Sequence, residues 1–133
     1  MRYMLDTNIC IYIIREKPIK VLKKLRTFDL SDIVISAITH SELEYEVAKS
    51  NRRQENHGAL IKFLAPLEIV SYDDKAAADY GQIRTHLEKK GTVIGAMGML
   101  IGAHARSIPV TLVTNNQKEF RRIPGLRVEN WAK

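Results

Sequence analysis

Short apolar runs that alternate with helix-length segments constrain this chain more than any other feature of it. Tyr3–Leu5, Asp32–Ser36, Leu67–Val70 and Val110–Val113 are strand-length and rich in Val, Ile and Leu, and polar or turn-forming residues bound them. Between them lie helical stretches: one opening at Asp6-Thr7-Asn8 and running through Ile9–Arg15, and one with Pro18 in its first turn. Thr39–Ser50, Arg52–Leu64 (closed by Pro66), Asp73–Lys90 (ended by Gly91) and Ala96–Ser107 follow, then a short helix over Asn116–Arg122 and an edge strand at Leu126–Val128. Strands separated by helices predict an α/β fold, a three-layer α/β/α sandwich with a mainly parallel central sheet. No repeat or low-complexity linker interrupts the 133 residues, so residues 1–133 are expected to form a single domain.

Composition narrows the classes of function. The chain is 45% hydrophobic and 27% charged, a globular balance that argues against disorder. With 21 Lys+Arg against 15 Asp+Glu the net charge is +6, which favours an anionic partner such as nucleic acid without choosing one. The single cysteine, Cys10, lies between Ile9 and Ile11 and reads as a buried, reduced thiol. The longest apolar stretch, Gly95–Ala103, falls far short of the ~20 residues that span a bilayer. Asp6 comes too early for a secretory apolar segment, so a cytoplasmic chain with no membrane partner is expected.

Parallel sheets bind ligands beyond the carboxyl ends of their strands. Those ends carry Asp6, the segment leading to Glu42, and Thr114-Asn115-Asn116 with Glu119. Each has an ordinary structural explanation. Asp6 suits a helix N-cap, Thr39-His40-Ser41-Glu42 matches a capping box, and Asn116 suits another cap. Their convergence on one sheet edge makes a shared site the more informative reading. Carboxylates and amides are hard oxygen ligands suited to Mg²⁺ or Mn²⁺, which assist phosphodiester cleavage.

Other chemistries find less support. His40, His57, His86 and His104 lack short metal-ligand spacing; His57 and His86 read as solvated, while His40 and His104 could approach the site. Gly91, Gly95, Gly98 and Gly102 match neither a P-loop nor a dinucleotide fingerprint. Among the basic clusters, Arg84, Lys89 and Lys90 flank the approach to the Gly91–Gly95 loop and are the leading candidates for RNA phosphate contacts.

From Met4 to Trp131 the chain resembles the PIN-domain ribonucleases, and among them the VapC toxins of bacterial toxin–antitoxin pairs. The matching segments are Tyr3-Met4-Leu5-Asp6-Thr7-Asn8, Ile35-Ser36-Ala37-Ile38-Thr39 leading to Glu42-Leu43, and Gly91-Thr92 with Ile94-Gly95. Leu100-Ile101-Gly102-Ala103-His104-Ala105-Arg106-Ser107, Leu112-Val113-Thr114-Asn115-Asn116, Glu119-Phe120, Arg122-Ile123-Pro124-Gly125 and Glu129-Asn130-Trp131 complete them. The resemblance implies a PIN-like fold, Mg²⁺- or Mn²⁺-dependent endoribonuclease activity and inhibition by a cognate VapB antitoxin. It also implies a homodimer, and operator DNA binding only through the antitoxin. The closing segments look most like the enteric-type toxins that cut initiator tRNA in the anticodon region. By position, Asp6 and Glu42 would be metal ligands and Thr7 and Asn8 would buttress Asp6. Asn116 and Glu119 would complete the acidic edge, and Thr114 would hydrogen-bond near the ligands.

One position departs from that pattern. The family places an aspartate two residues before the Leu-Ile of the Ala96–Ser107 helix, where this chain has Gly98. Gly98 and Gly102 could serve close helix packing, at about 1 kcal/mol each relative to Ala. The reading taken here is instead that a metal-ligand carboxylate has been lost, whether by drift or by inactivation. It leads to an expectation of weakened metal binding, strongly reduced turnover and an intact fold. Two other functions compete with an attenuated nuclease. One is a catalytically silent PIN-fold binder of antitoxin or RNA. The other is a phosphotransferase using Asp6 as nucleophile, but Asn8 stands where such enzymes carry a second aspartate.

Overall fold

Apolar residues on both faces of every central strand dictate a sheet buried between two helical layers. The computed structural model describes residues 2–133. Its strands are β1 (Tyr3–Leu5), β2 (Ile33–Ser36), β3 (Glu68–Val70), β4 (Thr111–Val113) and β5 (Val128–Glu129). Its helices are α1 (Thr7–Arg15), α2 (Ile19–Leu25), α3 (Ala37–Lys49), α4 (Arg53–Leu64), α5 (Asp74–Lys90), α6 (Ala96–Ser107) and α7 (Gln117–Phe120). All five strands run parallel, in the order β3-β2-β1-β4-β5. The expected α/β/α sandwich is therefore present, with a sheet that is wholly rather than mainly parallel.

The pleat divides the core in two. Tyr3, Leu5, Ile33, Ile35 and Val113 point to a layer containing Ile9, Cys10, Ile13, Val21, Leu43, Leu60 and Trp131. Met4, Val34 and Leu112 point the other way, against Ile83, Leu87, Met99, Ile101 and Phe120. Cys10 is fully buried with its thiol pKa pushed well up by burial, and its Sγ–H faces the Leu5 carbonyl at 3.9 Å. Helix α6 forms despite two internal glycines because burying residues such as Met99 and Ile101 contributes about 1.5–3 kcal/mol each, more than the glycines cost. Arg106 ties this layer together, donating to Asp79 at 2.9 Å, Gln82 at 3.1 Å and the Pro124 carbonyl at 3.1 Å. No helix among the described residues is long and apolar enough to cross a membrane.

Several boundaries move for local reasons. The edge strand is Val128–Glu129 rather than Leu126–Val128, because Gly125 at φ +78° turns the chain and Leu126 folds back towards the Ile123 carbonyl. Pro18 precedes α2 instead of occupying its first turn. Asp32 belongs to a single 3₁₀ turn, Leu30–Asp32, ahead of β2. Helix α3 begins at Ala37, where the Ser36 hydroxyl accepts from the Ile38 amide at 3.1 Å. Thr39 thus lies inside the helix, and the expected Thr39–Glu42 capping box does not form. Gly91 ends α5 in the left-handed region, at φ +67°, as its position suggested.

His104 packs within the fold, away from any cleft. It is fully buried on α6, its Nδ1 lies 2.8 Å from the Ser36 hydroxyl, and its ring meets Tyr72 edge-on at 5.3 Å. Burial lowers its pKa below 6.5, while Asp73 and the Ser71 backbone pull the other way to a lesser degree. The folded chain therefore resists a proton that the unfolded chain accepts, so stability falls as pH drops from about 6.5 towards the depressed value. Urea melts between pH 7.5 and 5.5 should show that loss in the unaltered protein. His104→Asn should be less stable at pH 7.5 but nearly flat across the same interval.

Candidate metal centre

Register places the site. Leu5 pairs with Val113, so the residues that follow, Asp6 and Thr114, leave adjacent strands side by side at the carboxyl edge. The Thr114 hydroxyl donates to Asp6 Oδ2 at 2.8 Å and accepts from the Asn116 amide at 3.0 Å. Asp6 also caps α1, its Oδ1 accepting from the Thr7 amide at 2.7 Å. The capping role foreseen for Asp6 is real, and it leaves the carboxylate facing the cleft. The Thr7 hydroxyl donates to Glu42 Oε1 and so joins α1 to α3. Asn116, expected to cap, instead donates through Nδ2 to Glu119 Oε2 at 2.7 Å.

These groups surround a cleft of about 340 Å³ lined by Asp6, Thr7, Asn8, Glu42, Gly98, Asn116 and Glu119. Asn8 faces it from the exposed first turn of α1, and no hydrogen bond links its side chain to Asp6. Of the two expected buttresses Thr7 makes the contact with Asp6, and Thr114, expected to hydrogen-bond near the ligands, bonds to Asp6 itself. Ile11, Tyr45, Glu46, Met97 and Phe120 also line the cleft and were not anticipated. Glu46 was the legible omission, since it lies one helical turn beyond Glu42 and shares its face. It pairs with Lys49 at 3.2 Å.

The histidines and the favoured cations lie elsewhere. His40 pairs with Glu44 at 3.0 Å on α3, and His104 is buried. Arg84 donates to Glu88 at 3.1 Å and to the Tyr80 hydroxyl at 3.0 Å along α5. Lys89 lies in a shallow depression with His86 and Gly81, and Lys90 is exposed at the end of the helix. None of the three lines the acidic cleft.

Electrostatics favour a cation between the carboxylates. Burial raises the pKa of Asp6 above its ordinary 3.8, the Thr114 and Thr7 hydrogen bonds oppose that rise, and the neighbouring charge of Glu42 adds to it. A cation would relieve both the burial and the repulsion. The donors are all oxygen, as Mg²⁺ or Mn²⁺ requires, and two carboxylates are enough for one such ion with water and phosphate completing its shell. Among the described residues no three His, Cys, Asp or Glu side chains converge closely enough to hold a metal. The oxygen donors of Asp6 and Glu42 fit one such ion.

Residues 3–126 match the PIN domain family. The chain is 46% identical to ribonuclease VapC2 of Rickettsia felis over 134 residues, covering 100% of both chains. The chain belongs to the VapC family of PIN domains. It is 41% identical to the tRNA(fMet)-specific endonuclease VapC of Salmonella typhimurium, covering 99% of each. The crystal structure of R. felis VapBC2 bound to a promoter DNA fragment superposes with a TM-score of 0.92, at 44% identity, over 98% of this chain and 99% of that one.

Within this VapC chain the two helical glycines differ physically. A Cβ at Gly102 would lie 2.5 Å from Ile123 Cδ1 and 3.5 Å from the Phe120 ring, so Gly102 serves close packing. A Cβ at Gly98 would meet Phe120 Cζ at 3.5 Å and Ile94 Cδ1 at 3.6 Å, ordinary contacts that admit a methyl group. Close packing therefore explains Gly102 and not Gly98. Gly98→Ala should stabilise the protein by up to about 1 kcal/mol through helix propensity. Gly102→Ala gains the same propensity but must displace the buried Ile123 terminal methyl, so it should be less stable than Gly98→Ala. Paired thermal melts check the gain at Gly98 and the order of the two variants.

Proposed function

We propose that residues 1–133 act as one PIN domain, the cytoplasmic toxin of a type II toxin–antitoxin pair, and that the chain is a Mg²⁺- or Mn²⁺-dependent endoribonuclease with an impaired site. The observation that carries the reading is the hydrogen-bonded assembly of Asp6, Thr7, Glu42, Thr114, Asn116 and Glu119 beside an open Gly98 position. The name of the S. typhimurium relative points to tRNA, and to initiator tRNA in particular, as substrate.

Asp6 and Glu42 would hold the ion, which when bound supplies charge neutralisation at the scissile phosphate and a more acidic attacking water. The chain's own residues do the positioning. The Thr7 amide and the Thr114 hydroxyl fix both oxygens of Asp6, and the Thr7 hydroxyl fixes one oxygen of Glu42. Asn116 Nδ2 anchors Glu119 through Oε2 and leaves Oε1 available to accept a proton from water. Position 98 contributes no charge. Water can fill a vacant coordination position but cannot replace a negative ligand, so the ion is held less tightly and turnover falls.

An apolar groove of about 320 Å³ between α1, α3 and α4 shares Ile11 and Glu46 with the cleft. It supports the reading that a cognate VapB antitoxin lies beside the active site, in a complex whose operator DNA contacts are made by the antitoxin. The R. felis neighbour is a VapBC complex on promoter DNA. A homodimer is part of the same reading. The absence of a three-carboxylate group among the described residues favours a second reading, a silent PIN-fold binder of antitoxin or RNA.

Cleavage of purified initiator tRNA separates the two. With Mg²⁺ or Mn²⁺, Gly98→Asp should cut faster than the unaltered chain by a factor on the order of a hundred, the scale on which one transition-state-stabilising group acts. EDTA should abolish the activity. If both proteins fold and bind antitoxin yet neither cuts RNA, the chain is a binder.

A further inference from the structure

The acidic cleft repels the polyanion it is proposed to cut, since Asp6, Glu42, Glu46 and Glu119 all face it. Phosphates flanking the scissile one therefore need cations nearby. Among the α5 cations, Arg84 is already engaged by Glu88 and Tyr80.

A second depression lies beside the end of β5. About 440 Å³ in volume, it is lined by Lys20 and Lys24 of α2, Gln117 of α7, and Val128 to Trp131 with Lys133 at the end of β5. Strand β5, whose end forms one wall of the depression, is two places from β1 in the sheet. Helix α7 is the shared wall, with Asn116 and Glu119 facing the cleft and Gln117 facing the depression.

Its charge is uncompensated. Helix α2 carries Lys20, Lys23 and Lys24 and no acidic residue. Lys20 and Lys24 are one turn apart, a like-charge spacing that disfavours the helix unless an anion answers it. Among the described residues none of Lys20, Lys24 and Lys133 has an ion-pair partner. Lys24 is held in place, its Nζ 5.6 Å from the centre of the Phe28 ring, which stacks on Trp131 at 5.2 Å. The one acidic side chain in the depression, Glu129, accepts from Trp131 Nε1 at 3.2 Å and forms no ion pair with Lys20 or Lys24, so the two helical lysines outnumber it.

We propose that the Lys20–Lys24–Lys133 depression is a phosphate subsite for the RNA strand that enters the acidic cleft, holding a neighbouring phosphodiester across α7. The assignment rests on the ribonuclease reading for the identity of the anion. Phosphate contacts of this kind position a strand without reading its sequence.

The test is fluorescence-anisotropy binding of initiator tRNA and of a labelled single-stranded RNA to the full chain across a salt series. Lys20→Ala/Lys24→Ala is compared with Lys62→Ala, which removes one positive charge rather than two, from the last turn of α4, before β3 begins. The double variant should bind both RNAs about tenfold more weakly at low salt, with a salt slope smaller by roughly one to two. Lys62→Ala should leave both values unchanged. Alanine suits an exposed helix, and circular dichroism confirms folding. Unchanged affinity and slope overturn the subsite, as does an unchanged RNA affinity with lost binding of the antitoxin, which would reassign the patch to a protein. Anisotropy reads binding without turnover, so a folded chain that binds RNA through these lysines but never cuts it sinks the nuclease reading and leaves the subsite standing.

Discussion

The hydrogen bond from the Thr114 hydroxyl to Asp6 joins the fold to the site. It exists because β1 and β4 pair in parallel, with Leu5 beside Val113, so the next residue of each strand emerges at the same edge. That pairing in turn depends on a sheet apolar on both faces and covered by helices on both. The rest of the polar network hangs from the same point. Thr114 orders the Asn116 amide, Asn116 orders Glu119, and Asp6 ends the strand while starting α1, whose first residue reaches Glu42. Such a network is rigid where its members are satisfied, and each is anchored on a strand end or helix start rather than on a free loop.

Two carboxylates, one of them reluctant to ionise because it is buried beside the other, suit a single divalent ion and give it little excess attraction. A position with room for a methyl group holds glycine, and the neighbouring Gly102 shows by contrast what a packing glycine looks like. The VapC architecture is retained with a glycine at position 98. The two are compatible because ligand side chains at a solvent-lined edge contribute little to the core.

Much of this was legible in the residues. The strand–helix alternation specified the three layers, and Asp6, Glu42, Thr114, Asn116 and Glu119 do meet at one edge. What misled was local chemistry with two solutions. Thr39 and Glu42 satisfy a capping pattern, but Ser36 caps three residues earlier, which moves Thr39 into the helix and frees Glu42 for the cleft. Asn116 could accept as a cap or donate as an amide, and the nearby Glu119 decides for donation. Nor can linear order reveal where a basic cluster faces. Arg84, Lys89 and Lys90 are close in sequence to the loop before α6, yet they line no part of the cleft. Lys20 and Lys24, on α2, line a depression whose other walls are Gln117 of α7 and the end of β5. Glu46 was readable from its helical spacing to Glu42.

The central claim is that Asp6 and Glu42, joined through Thr7, form a one-ion site of low affinity. Titration of the metal-free protein with Mn²⁺, followed by the loss of free-ion electron paramagnetic resonance signal, tests it directly. The account predicts one weakly bound ion per chain, absent in Glu42→Gln. Two tightly bound ions, or binding indifferent to Glu42→Gln, would contradict it.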